Sequence, residues 1–169
     1  MQRPQVGEYN PYFQRYIDLV VDGDFEALLE ENTDEMFDFF QEIPEEKHDF
    51  RYAEGKWNIR EILMHLIDTE RIMSYRALVG LRGDAVSLAG FDEDAYNANV
   101  DVSHRSVDSL LYEFQSVRSN TVSLFDNAEE EKTAFQGNAN NHVITPRALG
   151  YIMIGHVLHH INVIRERYL

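Results

Sequence analysis

The C-terminal stretch TPRALGYIMIGHVLHHINVIRERYL, residues 145–169, carries the clearest indication of the fold. Thr145 followed by Pro146 is typical of a helix start, because threonine caps free backbone N–H groups and proline fits the first turn. Apolar residues and two histidines then recur at steps of three and four residues, which is the spacing of one helix face. This face consists of Leu149, Ile152, Met153, His156, His160, Val163 and Ile164. The stretch predicts a helix that runs to the last residue and turns a histidine pair toward a core.

Three more long segments show helical periodicity and are separated by turn-rich stretches. Asn58, with Glu61 three residues later, is typical of a capping box at the start of one of them. Four long helices and one long connection predict an all-α fold, a four-helix bundle with one long crossover loop, in a single domain over residues 1–169. The other predicted elements are a short helix at 11–20, long helices at about 24–41, 58–80 and 106–127, a loop at 82–105 with a helical turn at 92–98, a polar loop at 136–143, and a briefly extended HVIT at 142–145.

The composition restricts the classes of function. The chain has 30 acidic and 15 basic residues, for a net charge of −15, and it has no cysteine. An acidic surface repels nucleic-acid phosphates and anionic lipids, so we expect no nucleic-acid and no membrane partner. Since there is no signal-peptide pattern and no apolar run of about 20 residues, we expect a cytoplasmic protein. The acidity is compatible both with salt adaptation and with an ordinary acidic surface.

The histidines of the last helix are a candidate metal site. His156 and His160 are i and i+4 neighbours, with Cβ atoms about 6 Å apart, a spacing that lets two imidazoles bind one ion. His159 is rotated by about 100° from His160 and is expected to be a bystander or to support the ligands. The alternative for such a pair is two partly buried histidines that bond to backbone or water. His65, in the run ILMHLIDTE of the second long helix, would supply a third inward imidazole.

Three neutral imidazoles suit zinc, nickel, iron or manganese and leave at least one position open for water or substrate. A di-iron carboxylate site is disfavoured, because no Glu precedes His156 or His160 by three residues. The other histidines, His48, His104 and His142, lie in polar, turn-rich surroundings and are expected in solvent. Of these, only His142, in the loop that leads into the last helix, could approach the mouth of the site.

Three segments of the sequence together resemble one protein family. They are KWNIREILMHLIDTERIMSYRAL (56–78), GFDEDAY (90–96) and GHVLHHINVIRERYL (155–169). Together they resemble the DinB-like (DinB/YfiT) family of metal-binding four-helix bundles, over nearly the whole chain. The resemblance implies a divalent metal ion bound by His65, His156 and His160. Family members include bacillithiol- or mycothiol-dependent transferases, a maleylpyruvate isomerase and metal-dependent hydrolases.

Three functions remain open on this basis, and all involve a metal. The first is a transferase whose metal activates a low-molecular-weight thiol, since the chain has no cysteine of its own. The second is a hydrolase whose metal activates water. The third is a non-enzymatic metal-binding or interaction module associated with stress. The first two predict a small-molecule substrate, and a homodimer through exposed helix faces is a further expectation.

Charged residues that follow His65 are weak candidates for catalysis. Asp68 or Glu70 could serve as a base or orient a ligand, and Arg76 could hold a substrate carboxylate. The alternative is that they form a solvated face or pairs within the helix. Aromatic residues that could line a pocket, or simply fill the core, are Trp57, Tyr75 and Tyr151.

Overall fold

The structure, a computed structural model, describes residues 1–169. Its helices are α1 (Gln14–Ile17), α2 (Phe25–Gln41), α3 (Ile59–Leu81), α4 (Glu93–Ala98), α5 (Val107–Asp126), α6 (Glu130–Thr133) and α7 (Pro146–Arg167), its strands are β1 (Ser87–Leu88), β2 (Gly137–Ala139) and β3 (His142–Ile144), and 3-10 turns occupy Pro11–Phe13 and Glu45–Lys47. None of the helices combines the length and apolar character needed to cross a lipid bilayer.

Four long helices form the bundle, which confirms the predicted all-α fold. Helix α3 packs against α5 and α7, and α2 packs against the same two helices from the opposite side. Consecutive helices α2 and α3 therefore lie across a diagonal of the bundle, as do α5 and α7. The short helix α1 packs on the outside of α7. The long connection between α3 and α5 is also confirmed, and it contains β1 and α4.

Each long helix is preceded by a side chain that caps its free N–H groups. For this reason the helix starts predicted from the sequence lie close to the observed ones. Asp24, Ser106 and Thr145 each accept a hydrogen bond from the third backbone N–H that follows. Asn58 and Glu61 form the complete capping box at the start of α3. Helix α3 therefore begins at a defined residue, and this fixes the position of His65 two turns later.

A small sheet was not predicted. Strand β1 pairs in parallel with β2, and β2 pairs antiparallel with β3 across a turn at Asn140 and Asn141. Both asparagines have positive φ angles, 52° and 63°, which asparagine tolerates better than most residues. The expected polar loop at 136–143 is thus mostly a hairpin. Its strands have only two or three residues, too few to show an alternating pattern.

The apolar core consists of two clusters, one at each end of the bundle. Between them lies a layer of buried polar groups. Arg118 of α5 forms an ion pair with Glu70 of α3, with an Nε–Oε1 distance of 2.8 Å. Arg118 also donates to Asn32 of α2, and the Asn32 amide donates to the carbonyl of Ile154 in α7. This layer joins all four long helices near the middle of the bundle.

Helix α7 differs from the amphipathic helix that its periodicity predicts. Every residue from Pro146 to Val157 is buried, so the first half of this helix is enclosed on all sides. The N-terminal segment and α1 cover the face that would otherwise be exposed. Gly155 allows this close approach, because a Cβ atom there would lie 2.0 Å from the carbonyl oxygen of Tyr16 in α1.

Candidate metal centre

Three histidine side chains converge between α3 and α7. The Nε2 atom of His156 lies 3.0 Å from Nε2 of His65 and 3.1 Å from Nε2 of His160. All three donor atoms lie within 4.8 Å of one another, and no cysteine or carboxylate belongs to the group. His156 and His160 come together because they are one helical turn apart. His65 joins them because α3 and α7 are in direct contact.

The triad fits a divalent metal ion. Nitrogens at 2.0–2.1 Å from a tetrahedral zinc ion would be about 3.3 Å apart, close to the two distances in this structure. The Nε2 atom of His156 faces both neighbours. Because it has either one hydrogen or one lone pair, it can form a hydrogen bond to only one of them. A shared ion satisfies the lone pairs of all three nitrogens at once. The ligand set leaves a coordination position free.

The surroundings keep these imidazoles neutral, the form that binds metals. Burial, together with a smaller effect of the nearby His159, lowers the pKa of His65 to about 4. Burial also holds the pKa values of His156 and His160 well below the ordinary value of 6.5, as do the neighbouring histidines. Near pH 7 all three side chains therefore have a lone pair available.

Aromatic rings hold the ligands from outside the triad. The ring of Tyr16 contacts both His156 and His159 edge-on, with centroids 5.3 Å apart in each pair. Trp57 packs on His65 with a centroid distance of 4.7 Å. The Nδ1 atom of His160 is buried and has no hydrogen-bond partner, so no second bond fixes its tautomer. The orientation of the rings thus depends mainly on packing.

Two cavities reach the triad from different directions. The first has a volume of about 240 Å³, is bounded by α1, α3, α4, the hairpin and α7, and includes His65 and His156 in its wall. The second has a volume of about 230 Å³ and includes His160, Trp57 and Tyr168. Small molecules could therefore approach the same centre from either side.

The three weak catalytic candidates occupy different places. Only Arg76 lines the first cavity. Asp68 lies 3.5 Å from Arg71, one turn along the same helix, and burial raises its pKa. Glu70 is 2% exposed and engaged by Arg118, which makes it part of the buried layer and unavailable as a base. Glu70 follows His65 by five residues, a rotation of about 140° that turns it toward α5.

Some of the aromatic and histidine candidates line a cavity, and others do not. Trp57 lines the second cavity, whereas Tyr151 is buried in the core against Phe25 and Tyr75 is 56% exposed. His142 lines the first cavity and therefore lies near the site, as its position in the sequence suggested. His48 bonds to the carbonyl of Ile43, and His104 is exposed in a loop.

Tyr16 is the residue at this centre that the sequence did not reveal. It lies on a helix of only four residues, more than a hundred positions before His156. The sequence predicted a short helix at 11–20, in which Tyr12 and Phe13 precede Tyr16 by four and three residues, but this spacing does not show which helix Tyr16 contacts.

The structure is thus a four-helix bundle with three convergent histidines that could hold a metal ion. The sequence matches the DinB superfamily over residues 28–164, and the chain belongs to that family. Among solved structures, YfiT from Bacillus subtilis is similar in fold, with a TM-score of 0.75 and 18% sequence identity. The match covers 98% of this chain and 90% of that one. YfiT is described as "a probable metal-dependent hydrolase with an unusual four-helix bundle topology". No curated protein is significantly similar in sequence.

Proposed function

We propose that the protein binds one divalent metal ion through His65, His156 and His160 and hydrolyses a small molecule in the first cavity. The observation that carries this proposal is the convergence of three neutral imidazoles, of which His65 and His156 line that cavity. The description of YfiT as a probable metal-dependent hydrolase also supports it.

The chain's own residues have separable tasks in this proposal. When bound, a divalent ion would lower the pKa of a coordinated water and polarise a substrate carbonyl. Tyr16 and Trp57 keep the ligand rings in place. Because Glu70 and Asp68 are engaged elsewhere, His142 and Glu93 are the proton acceptors that line the first cavity.

A thiol transferase is the second candidate, and the second cavity favours it. Such an enzyme must bring two substrates to one centre, and here two cavities adjoin the same triad. With no cysteine in the chain, the sulfur would come from a low-molecular-weight thiol. A metal-bound thiol is deprotonated outright, which makes it a nucleophile at neutral pH.

Elemental analysis of untagged protein tests the metal centre first. We expect about one metal ion per chain in the wild type and clear loss in His156→Ala, because two imidazoles seldom retain a divalent ion without a third ligand. His104→Ala is the matched control, since His104 is exposed and belongs neither to the triad nor to the wall of either cavity. Equal metal content in all three proteins would contradict the proposal.

A screen of the metal-loaded protein then separates the reactions. Ester and amide hydrolysis without added thiol supports the hydrolase, whereas turnover that requires an added thiol supports the transferase. Metal binding without either activity favours a non-enzymatic binding module.

A further inference from the structure

We propose that Arg76 forms an anion subsite in the first cavity and binds the carboxylate of a substrate that has an apolar body and a single negative charge. The inference rests on the proposed function, because the other end of the same molecule would lie at the histidine triad. It adds a substrate class, the apolar monocarboxylates, to a site otherwise defined only by its metal ligands.

Arg76 is a cation without a protein counter-ion. Eight other arginines form ion pairs with acidic residues, in a chain where acidic residues outnumber basic ones two to one. The guanidinium of Arg76 instead donates to the carbonyl of Ala89 at 2.8 Å and lies 3.8 Å from the sulfur of Met73. A guanidinium has five N–H donors, so most of them have no protein oxygen as acceptor.

The position of Arg76 distinguishes it from the other unpaired arginines. It is half-buried and is the one Lys or Arg side chain in the wall of the first cavity. Arg15 stacks on Tyr12 and Tyr16, Arg167 is exposed and lies over the ring of Tyr52, and Arg82 is exposed at the end of α3. Burial lowers the pKa of Arg76, which reflects the loss of water around a charge that no carboxylate compensates.

Helix geometry puts Arg76 and His65 along one cavity. They are eleven residues apart, which corresponds to three turns with about 20° of rotation and a rise of roughly 16 Å. Between them the cavity wall is mainly apolar and includes Met73, Ile144 and Ile152. A ligand that contacts both ends must therefore be longer than a simple acid such as acetate and must carry an apolar segment.

A further polar group, without a protein partner, lies between His65 and Arg76 along α3. Thr69 follows His65 by one turn, lines the same cavity, and has a buried hydroxyl without a hydrogen-bond partner. Thr33 and Thr121, by comparison, bond to the carbonyl four residues earlier in their own helices. A buried hydroxyl without a partner costs free energy. A polar atom of a bound ligand would offset this cost.

The charge balance favours a carboxylate over a dianion. One guanidinium neutralises one negative charge, and its planar N–H groups match a carboxylate in a bidentate arrangement. Glu93 also lines the cavity but is exposed and forms no ion pair with Arg76. Its charge and the net charge of −15 both act against a phosphate, which has nearly twice the charge of a carboxylate.

Binding of simple probes tests the subsite without any assumption about the reaction. The probes are 4-phenylbutyrate, its neutral amide and phenyl phosphate, titrated by calorimetry into metal-loaded protein and into chelator-treated protein. We expect the carboxylate to bind wild type with a dissociation constant below about 1 mM. Arg76→Gln should weaken that binding at least about tenfold, since a bidentate charged contact is lost. Arg82→Gln is the control and should bind as wild type does.

Three comparisons keep the test specific. Arg76→Lys retains the charge without the planar fork and should give intermediate binding. Metal content should be unchanged in Arg76→Gln. Carboxylate binding by the chelator-treated protein should persist, so a failed metal proposal and a failed Arg76 proposal give different results. The inference is overturned if the amide binds as tightly as the carboxylate, if phenyl phosphate binds more tightly, if no probe binds, or if Arg76→Gln binds like wild type.

Discussion

Gly155→Ala is predicted to destabilise the protein, although alanine is the better helix former. A Cβ atom at this position would lie 2.0 Å from the carbonyl oxygen and 2.5 Å from the carbonyl carbon of Tyr16. Ordinary contacts between such atoms are at about 3.5 Å, so α1 and α7 must separate by more than about 1 Å. Because the obstructing atoms belong to the backbone, no side-chain rotation relieves the clash.

Two opposing effects set the size of the change. Replacing glycine by alanine within a helix gains up to about 1 kcal/mol. Overpacking a core costs about 1–3 kcal/mol, and the upper part of that range applies here because the backbone itself must move. We expect a net loss of about 1–2 kcal/mol, which for a chain of this size lowers Tm by roughly 2–8 °C.

Thermal unfolding followed by circular dichroism measures this loss, and Gly150→Ala is its matched control. Gly150 lies on the same helix, but the atoms that a Cβ would meet belong to the side chains of Phe25 and Met1, which can move. We expect a smaller decrease in Tm for that variant. A Gly155→Ala protein with an unchanged or higher Tm would refute the argument from backbone contact. Since Tyr16 packs on His156, we also expect Gly155→Ala to bind metal more weakly.

Three further predictions concern the bundle. Glu70→Gln leaves the buried Arg118 without its carboxylate and should lower the free energy of unfolding, measured with denaturant, by about 3–5 kcal/mol. The apolar double variant Glu70→Met/Arg118→Leu should recover most of this loss. An equal loss of stability in both variants would contradict this prediction. The Arg147 guanidinium lowers the pKa of Glu8 from its ordinary value of 4.5, so this ion pair stabilises the folded state above that pH and the contribution disappears as pH falls through the lowered pKa. Wild type should therefore be more stable than Glu8→Gln at pH 7, and the difference should close in acid; a constant difference from pH 7 to pH 3 would rule this out. Asn58→Ala removes the capping box of α3 and should lower the free energy of unfolding by about 1 kcal/mol, and an unchanged value would show that the cap is dispensable.

The features that sequence predicted well are local ones. The long helices begin directly after their caps, Asp24, Asn58, Ser106 and Thr145, and sequence could predict these starts because each cap bonds to groups within three or four residues of itself. The convergence of the three histidines could be predicted for two reasons. A spacing of four residues puts His156 and His160 on one helix face, and the apolar stripe of α3 indicates that His65 faces inward. That these residues bind a metal stays a prediction.

The features that sequence missed depend on contacts between distant segments. Whether Glu70 is a base or half of an ion pair depends on Arg118, and nothing near either residue reveals the other. Tyr16 reaches the centre because Gly155 admits the backbone of α1. The all-round burial of α7 did have a signal, since the run ALGYIMIGHV is almost wholly apolar, and such a helix is usually enclosed.

The separation of the histidines along the chain has a consequence for folding and for the lifetime of the protein. His156 and His160 form an i,i+4 pair that exists whenever α7 is helical, but His65 is 91 residues away from His156 and joins them only when α3 has docked. A chain in which α7 is formed but α3 is not docked therefore offers two ligands and the native chain three, so free metal would shift the equilibrium toward the docked state by the difference in affinity. Cells that run short of the ion would then hold less of the folded protein, because the undocked chain is the form that proteases degrade.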